Sequence, residues 1–146
     1  MVRPDNFRIG KQELTLGART YVMGVLNVTP DSFSDGGRHF TPDEALSHAE
    51  TMIRDGVDII DIGGESSRPA GPYGDGAAIV PAEEETRRTA PVIEAIARRF
   101  DTPMSIDTVK HEVARRAIDA GAHAVNDIGG FTQPEMVSLV ADAQVS

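Results

Sequence analysis

One short phrase recurs four times along this chain of 146 residues: an apolar strand, a polar rim, then an amphipathic helix. The strands read as residues 21–27, 57–62, 104–107 and 122–127. Each is a nearly continuous apolar run, as expected of parallel strands covered on both faces, and Asp61 interrupts the second. Strand alternating with helix predicts a parallel α/β sheet with right-handed crossovers. An open doubly wound sheet and a (β/α)8 barrel both begin this way, and periodicity does not separate them.

The helix starts are legible. Thr41-Pro42-Asp43-Glu44 spells a capping box with Pro at the first helical position, and Thr132 to Glu135 repeats the Thr-to-Glu spacing. Pro81 precedes an acidic turn, Glu83-Glu84-Glu85, which suits the positive end of a helix dipole. Thr108 is placed to cap the third helix. Three apolar stripes follow at helical spacing: Leu46, Ala49, Met52 and Ile53; Val92, Ile93, Ile96 and Ala97; Val113, Ala114, Ala117 and Ile118. Gly56 and Gly121 sit where a left-handed residue would end a helix. Pro91 predicts a kink or break inside the second helix. Ahead of the repeats, residues 7–10 and 13–17 read as a small β-hairpin, an N-terminal plug.

The formal charge of −9 argues against nucleic-acid or anionic-membrane partners, which need clustered Lys and Arg. With no cysteine, disulfides, thiolate metal sites and cysteine nucleophiles are excluded. No stretch approaches the roughly 18 apolar residues of a membrane helix, and the start lacks a signal-like core, so a cytoplasmic location is expected.

Ligands of such folds bind beyond the carboxyl ends of the strands. Those ends carry Asn27, then Glu65-Ser66-Ser67-Arg68, then Asp107-Thr108, then Asn126-Asp127. A single Asp at a strand end is usually a cap or a solvated residue; four polar rims in register on one face point to a shared site. The first and second βα loops, residues 28–40 and 63–80, far exceed the usual two to six residues, as substrate-closing loops often do. The "GPYGDGAA" stretch in the second reads as a tolerated insertion. Asn27 offers an oxygen to a hard cation such as Mg²⁺, an amide to a phosphate, or merely a cap to its strand. Arg68 is a planar fork suited to phosphate oxygens, or a solvated surface residue. Asp107 and Asn126, on neighbouring strands, suit the donor and acceptor edge of a heterocycle. The four histidines show no metal spacing, and neither a Ser-His-Asp triad nor a phosphate-binding P-loop is present.

"MGVLNVTPDSFSDGG" and "DIGGESSRP" resemble the two signature segments of the dihydropteroate synthase family, and "SIDTVKHEVARRAIDAGAHAVNDIGG" resembles its third and fourth βα units. The resemblance implies a (β/α)8 barrel that condenses 6-hydroxymethyl-7,8-dihydropterin diphosphate with p-aminobenzoate, giving 7,8-dihydropteroate and pyrophosphate. It implies that Asn27 binds Mg²⁺ with the diphosphate and that Asp107 and Asn126 hold the pterin ring. Ser67 and Arg68 would contact the substrates, Arg68 near the departing anion. Phe33 and Asp35 would close over p-aminobenzoate and steady the developing pterin cation. Ser67 stands where Thr is more usual, and Ala70 replaces a common Gly.

A whole barrel needs roughly 200 residues or more, and four units are present here. The chain therefore reads as the N-terminal half of such an enzyme, inactive alone and a homodimer when complete. The alternative is a non-catalytic pterin-binding half-barrel that pairs with another chain. Open, apolar edges are expected on the first and fourth strands.

Overall fold

The structure, a computed structural model, describes residues 6–29, 41–66 and 79–146. It opens with an antiparallel hairpin, β1 (Asn6–Ile9) and β2 (Gln12–Thr15). The two-residue turn between them uses Gly10 at φ 56°. A β-carbon at Gly10 would lie 2.4 Å from the His123 ring, so the turn approaches too closely for any side chain.

The repeats follow as β3 (Met23–Asn27), α1 (Pro42–Arg54), β4 (Ile59–Gly63), α2 (Ala82–Ala97), β5 (Met104–Asp107), α3 (His111–Ala120), β6 (Ala124–Asn126) and α4 (Pro134–Ala143). The four repeat strands pair parallel in sequence order, β3-β4-β5-β6. Their Cα register fixes which side chains share a face, because successive residues of a strand point to opposite sides.

One face carries the rows Gly24-Ile60-Met104 and Leu26-Ile62-Ile106-Val125. These join a single buried cluster with Leu46 and Ala49 of α1, Val92, Ile93 and Ile96 of α2, Val113, Ala114 and Ala117 of α3, and Met136 and Leu139 of α4. All four helices thus cover the same face. A doubly wound sheet would carry helices on both, so the ambiguity of the sequence resolves toward the curl of a barrel. Burying each Leu or Ile of this layer contributes roughly 1.5–3 kcal/mol.

The opposite face carries Val25-Asp61-Ser105-Ala124 and, at the carboxyl ends, Asn27-Gly63-Asp107-Asn126. Its amino-terminal end is closed by the hairpin: Ile9 and Leu14 pack on Ile59 and Ala124, with Tyr21 beside them. The hairpin is the expected plug. Beyond α4 the backbone returns to the sheet, where Ser146 accepts from the Val125 amide at 2.8 Å and donates to the His123 carbonyl at 3.2 Å. No helix among the described residues is long and apolar enough to cross a membrane.

Several local expectations hold. Thr41 and Glu44 form both halves of the capping box, and Gly56 and Gly121 adopt positive φ at helix ends. Others are corrected. At α4 the N-cap is Gln133, with no side-chain cap bond, so the Thr132 spacing is not a capping box. Thr108 does not cap α3: its hydroxyl accepts from the Lys110 amide, a local turn ahead of a helix whose N-cap is Lys110. Pro91 does not break α2, which runs unbroken through it. Val92, Ile93 and Ile96 are anchored in the core just beyond the proline, and that packing outweighs the one backbone bond lost. Ala97 lies exposed rather than in the core stripe.

The pleat assignment is open to direct test. Leu26→Ala is expected to lower stability by about 2–5 kcal/mol, the range for a large core side chain cut to alanine. Val25→Thr, one residue away on the open face, should stay within about 0.5 kcal/mol. Denaturant titrations that gave the reverse order would overturn the register.

Candidate active site

Four strand ends meet in one row. Asn27 pairs with Gly63, Gly63 with Asp107, and Asp107 with Asn126, so the side chains of Asn27, Asp107 and Asn126 leave the same face at the same height. Gly63 keeps the row open. A β-carbon there would lie 3.3 Å from Asn27 Oδ1 and 3.7 Å from Asp107 Oδ2. The three polar residues singled out from the sequence therefore share one face and one level of the sheet. Among the described residues, nothing donates a hydrogen bond to the Asp107 carboxylate or to Asn126 Oδ1.

One residue of the site was missed by sequence reasoning. Asp61, only 4% exposed, lies one pleat below the row. Its Oδ1 accepts from Ser105 Oγ at 2.6 Å and its Oδ2 from Asn126 Nδ2 at 3.0 Å. Burying a carboxylate between apolar neighbours is costly unless it is hydrogen-bonded, and these two donors meet that need. The signal was available: a charge inside a strand of isoleucines, two residues before a glycine, reads as a buried polar group facing a site.

Asp107 titrates at about 6, raised first by burial and then by the negative charges of Asp61, Glu85 and Asp127. Asp127 is itself engaged, accepting from the Gly129 and Phe131 amides in the turn after β6.

A second missed group roots the long second loop. Lys110 Nζ bridges Glu65 Oε2 and Glu85 Oε2, each at 2.7 Å. Glu65 Oε2 also accepts from the Val80 amide at 2.7 Å, so one carboxylate ties both ends of that loop to the head of α3. Gly64 is pressed against α2, and Arg88 Nη1 donates to its carbonyl at 2.9 Å. Burial alone would lower the Lys110 pKa, but its two carboxylate partners outweigh that and hold it above the ordinary lysine value. Burial would likewise raise Glu65; its bonds from Lys110 and Val80 hold it below the ordinary range. Lysine and glutamate separated by 45 residues carry no local pattern, so the contact was not readable from spacing.

Phe33, Asp35, Ser67 and Arg68 lie outside the described residues. Among the described residues there is no cluster of three or more His, Asp or Glu able to hold a metal ion. Beside the Gly63 gap, Asn27 Oδ1 is the nearest oxygen, with Asp107 Oδ2 next. That fits an ion carried in on substrate phosphates, since Mg²⁺ commonly keeps one or two protein ligands and fills the rest with water and phosphate. His123 Nδ1 accepts from the Met104 amide at 3.2 Å, at the sheet's far end.

A raised carboxyl pKa has a defined sign. Asp107 binds its proton more tightly folded than at its ordinary value of 3.8, so its contribution to stability is full below pH 3.8 and is lost as pH rises through about 6. Melts of Asp107→Asn across this window should lack that part of the fall. Carboxyl NMR should place the Asp107 midpoint near 6, and Asp61→Asn should move it down. An unperturbed midpoint would overturn the electrostatic reading.

Residues 23–146 match a family described as pterin-binding enzymes. Among curated relatives, the dihydropteroate synthase of Clostridium beijerinckii is 52% identical over 134 residues, covering 92% of this chain and 48% of that protein. The Escherichia coli K12 dihydropteroate synthase is 51% identical, covering 84% and 41%. Among solved structures, a Xanthomonas albilineans dihydropteroate synthase with 4-aminobenzoic acid superposes with a TM-score of 0.84 at 46% identity, over 97% of this chain and 49% of that one. The same enzyme in complex with 7,8-dihydropteroate gives 0.77 at 42% identity, over 96% and 48%. The chain spans about half the length of the relatives it matches. With its partial barrel, its row of strand-end polar side chains and this match across five-sixths of its length, the chain belongs to the pterin-binding enzyme family.

Proposed function

We propose that this chain is the amino-terminal half of a dihydropteroate synthase. The complete protein would join 6-hydroxymethyl-7,8-dihydropterin diphosphate to p-aminobenzoate, forming a carbon–nitrogen bond at the pterin methylene as pyrophosphate leaves. The observation that carries this reading is the row Asn27-Gly63-Asp107-Asn126, on the open face of a parallel sheet. The relatives' names and bound ligands support it.

Asp107 and Asn126 would seat the ring. Their free oxygens accept, which suits a ring edge that presents N–H donors. A charged Asp107 binds such an edge more strongly than a protonated one. Asn27 would hold Mg²⁺ through its Oδ1, and the ion, when bound, would neutralise charge on the diphosphate. Departure of pyrophosphate leaves positive charge on the methylene. The Asp107 carboxylate in the row, with the Asp61 carboxylate one pleat below it, favours that charge electrostatically.

The remaining roles rest on the resemblance alone: Arg68 near the departing anion, Ser67 on substrate, Phe33 over p-aminobenzoate, and Asp35 beside the developing cation. The complete protein is proposed to be a cytoplasmic homodimer acting on small molecules, with neither nucleic acid nor membrane as a partner. A second reading, a half-barrel that binds pterin and pairs with another chain, is favoured by the open face, where Met23 and Val25 are about half exposed.

Two outcomes test this. In the complete protein, Asp107→Ala should weaken pterin binding at least about tenfold by calorimetry, since it removes a charge-assisted bond of roughly 1.5–3 kcal/mol; unchanged affinity would refute the assignment. The 146-residue chain alone should form no dihydropteroate and should self-associate through its exposed apolar face. Turnover by a clean monomer would defeat the half-barrel reading of its activity.

A further inference from the structure

We propose that Asp61 is the positioning residue of this site: it sets the orientation of the Asn126 amide, so that Asn126 presents its oxygen to a bound ring. A primary amide is ambiguous by shape, because its oxygen and nitrogen differ little in size but are opposite in hydrogen-bonding sense. Left free, the Asn126 side chain could turn either end toward a ligand. Asp61 removes that freedom. An ionised carboxylate only accepts, so the Asn126 atom 3.0 Å from Asp61 Oδ2 is the nitrogen, and Oδ1 is left for the mouth.

Asp61 is in turn fixed from the neighbouring strand, by its register partner. Ser105 Oγ donates to its other oxygen at 2.6 Å, and Ser105 is 2% exposed, so the hydroxyl has no competing water. The chain of command runs Ser105 to Asp61 to Asn126, across three adjacent strands in register. Asp107, next to Asn126 in the same row, also presents acceptors. Two neighbouring strands thus display acceptors toward one ligand edge. The complement is a planar heterocycle with adjacent N–H and exocyclic NH₂ donors. A ring lacking the amine, or presenting an acceptor there, would leave Asn126 Oδ1 or Asp107 unpaired in a half-buried place, which is where discrimination is strongest.

This inference rests on the pterin-binding reading above, and its test separates the two. In the complete protein, calorimetry with 6-hydroxymethylpterin and with its 2-desamino analogue should favour the pterin by at least about tenfold, roughly 1.4 kcal/mol. Asp61→Asn, which keeps the shape, should weaken pterin about tenfold while changing the analogue less than about twofold. In an Asn126→Ala background the same change should have little further effect, because it acts through that amide. Equal losses for both ligands, or full additivity, would show a merely structural role and overturn the proposal. A ligand-free readout covers the case in which wild-type protein binds no pterin, which would sink the pterin reading alone. The Asn126 side-chain amide protons should exchange with solvent at least about tenfold more slowly than those of an exposed Asn, and lose that protection in Asp61→Ala, or in Asp61→Asn if the alanine variant does not fold. Exchange that is fast in the wild type would overturn the positioning role on its own.

Discussion

β4 is paired along its length with β3 and from Ile60 to Gly63 with β5, so this strand cannot slip by one residue without inverting the molecule's two faces. A slip would drive Asp61 into the helix-packed layer and turn Ile60 and Ile62 out to the open face. Either half of that exchange is prohibitive: an unpartnered carboxylate among isoleucines, or two large side chains stripped of their burial. The register is thus specified twice, by apolar burial on one side and by the Ser105 and Asn126 donors on the other. The row of functional side chains at the strand ends is a consequence of that register. Asn27, Asp107 and Asn126 are aligned because Leu26, Ile106 and Val125, each one residue earlier in its strand, are locked under the helices.

The electrostatics of the mouth follow from what sits one pleat lower and one loop across. Asp61 is held by neutral donors, so its negative charge is solvated locally but not cancelled. Lys110 could have neutralised this end of the sheet, but it is spent on Glu65 and Glu85, where it fixes the root of the second loop. Asp107, half-buried and then facing like charges, rises to about 6. A site built this way repels a bare anion and favours cations and N–H donors. Under the function proposed above, an anionic leaving group would have to be met by added positive charge, the part given there to Mg²⁺ on Asn27 and to Arg68.

What could be read from the sequence was whatever depended on neighbours in the chain. The four βα units came from period, and the Thr41 box came from a three-residue spacing that the structure reproduces. The row of Asn27, Asp107 and Asn126 came from noticing that each polar residue ends an apolar run. Where the same local rules failed, a tertiary contact had overruled them. The Thr132 spacing matches that of Thr41, yet the N-cap falls one residue later, at Gln133, and Pro91 is tolerated because core residues grip the helix beyond it. Asp61 and the Lys110 bridge were missed for a related reason. Their meaning lies in partners 44 to 65 residues away for Asp61 and 25 to 45 for Lys110, and no window of sequence spans that distance.

The two ends of the sheet differ in how completely their polar groups are satisfied, and that difference is itself a guide to function. At the amino-terminal end, His123 accepts from the Met104 amide, while Asp58 binds both Arg19 and the Val22 amide. Arg19 in turn lies over the Tyr21 ring, 4.2 Å from its centroid. These contacts close on themselves and serve stability. At the carboxyl end the strands finish in oxygens that no described residue engages, beside a glycine whose missing side chain keeps the space open. Acceptors that no described residue engages, on the same four strands and in the same register, are suited to donors from a ligand, and among the described residues they define what this end can bind.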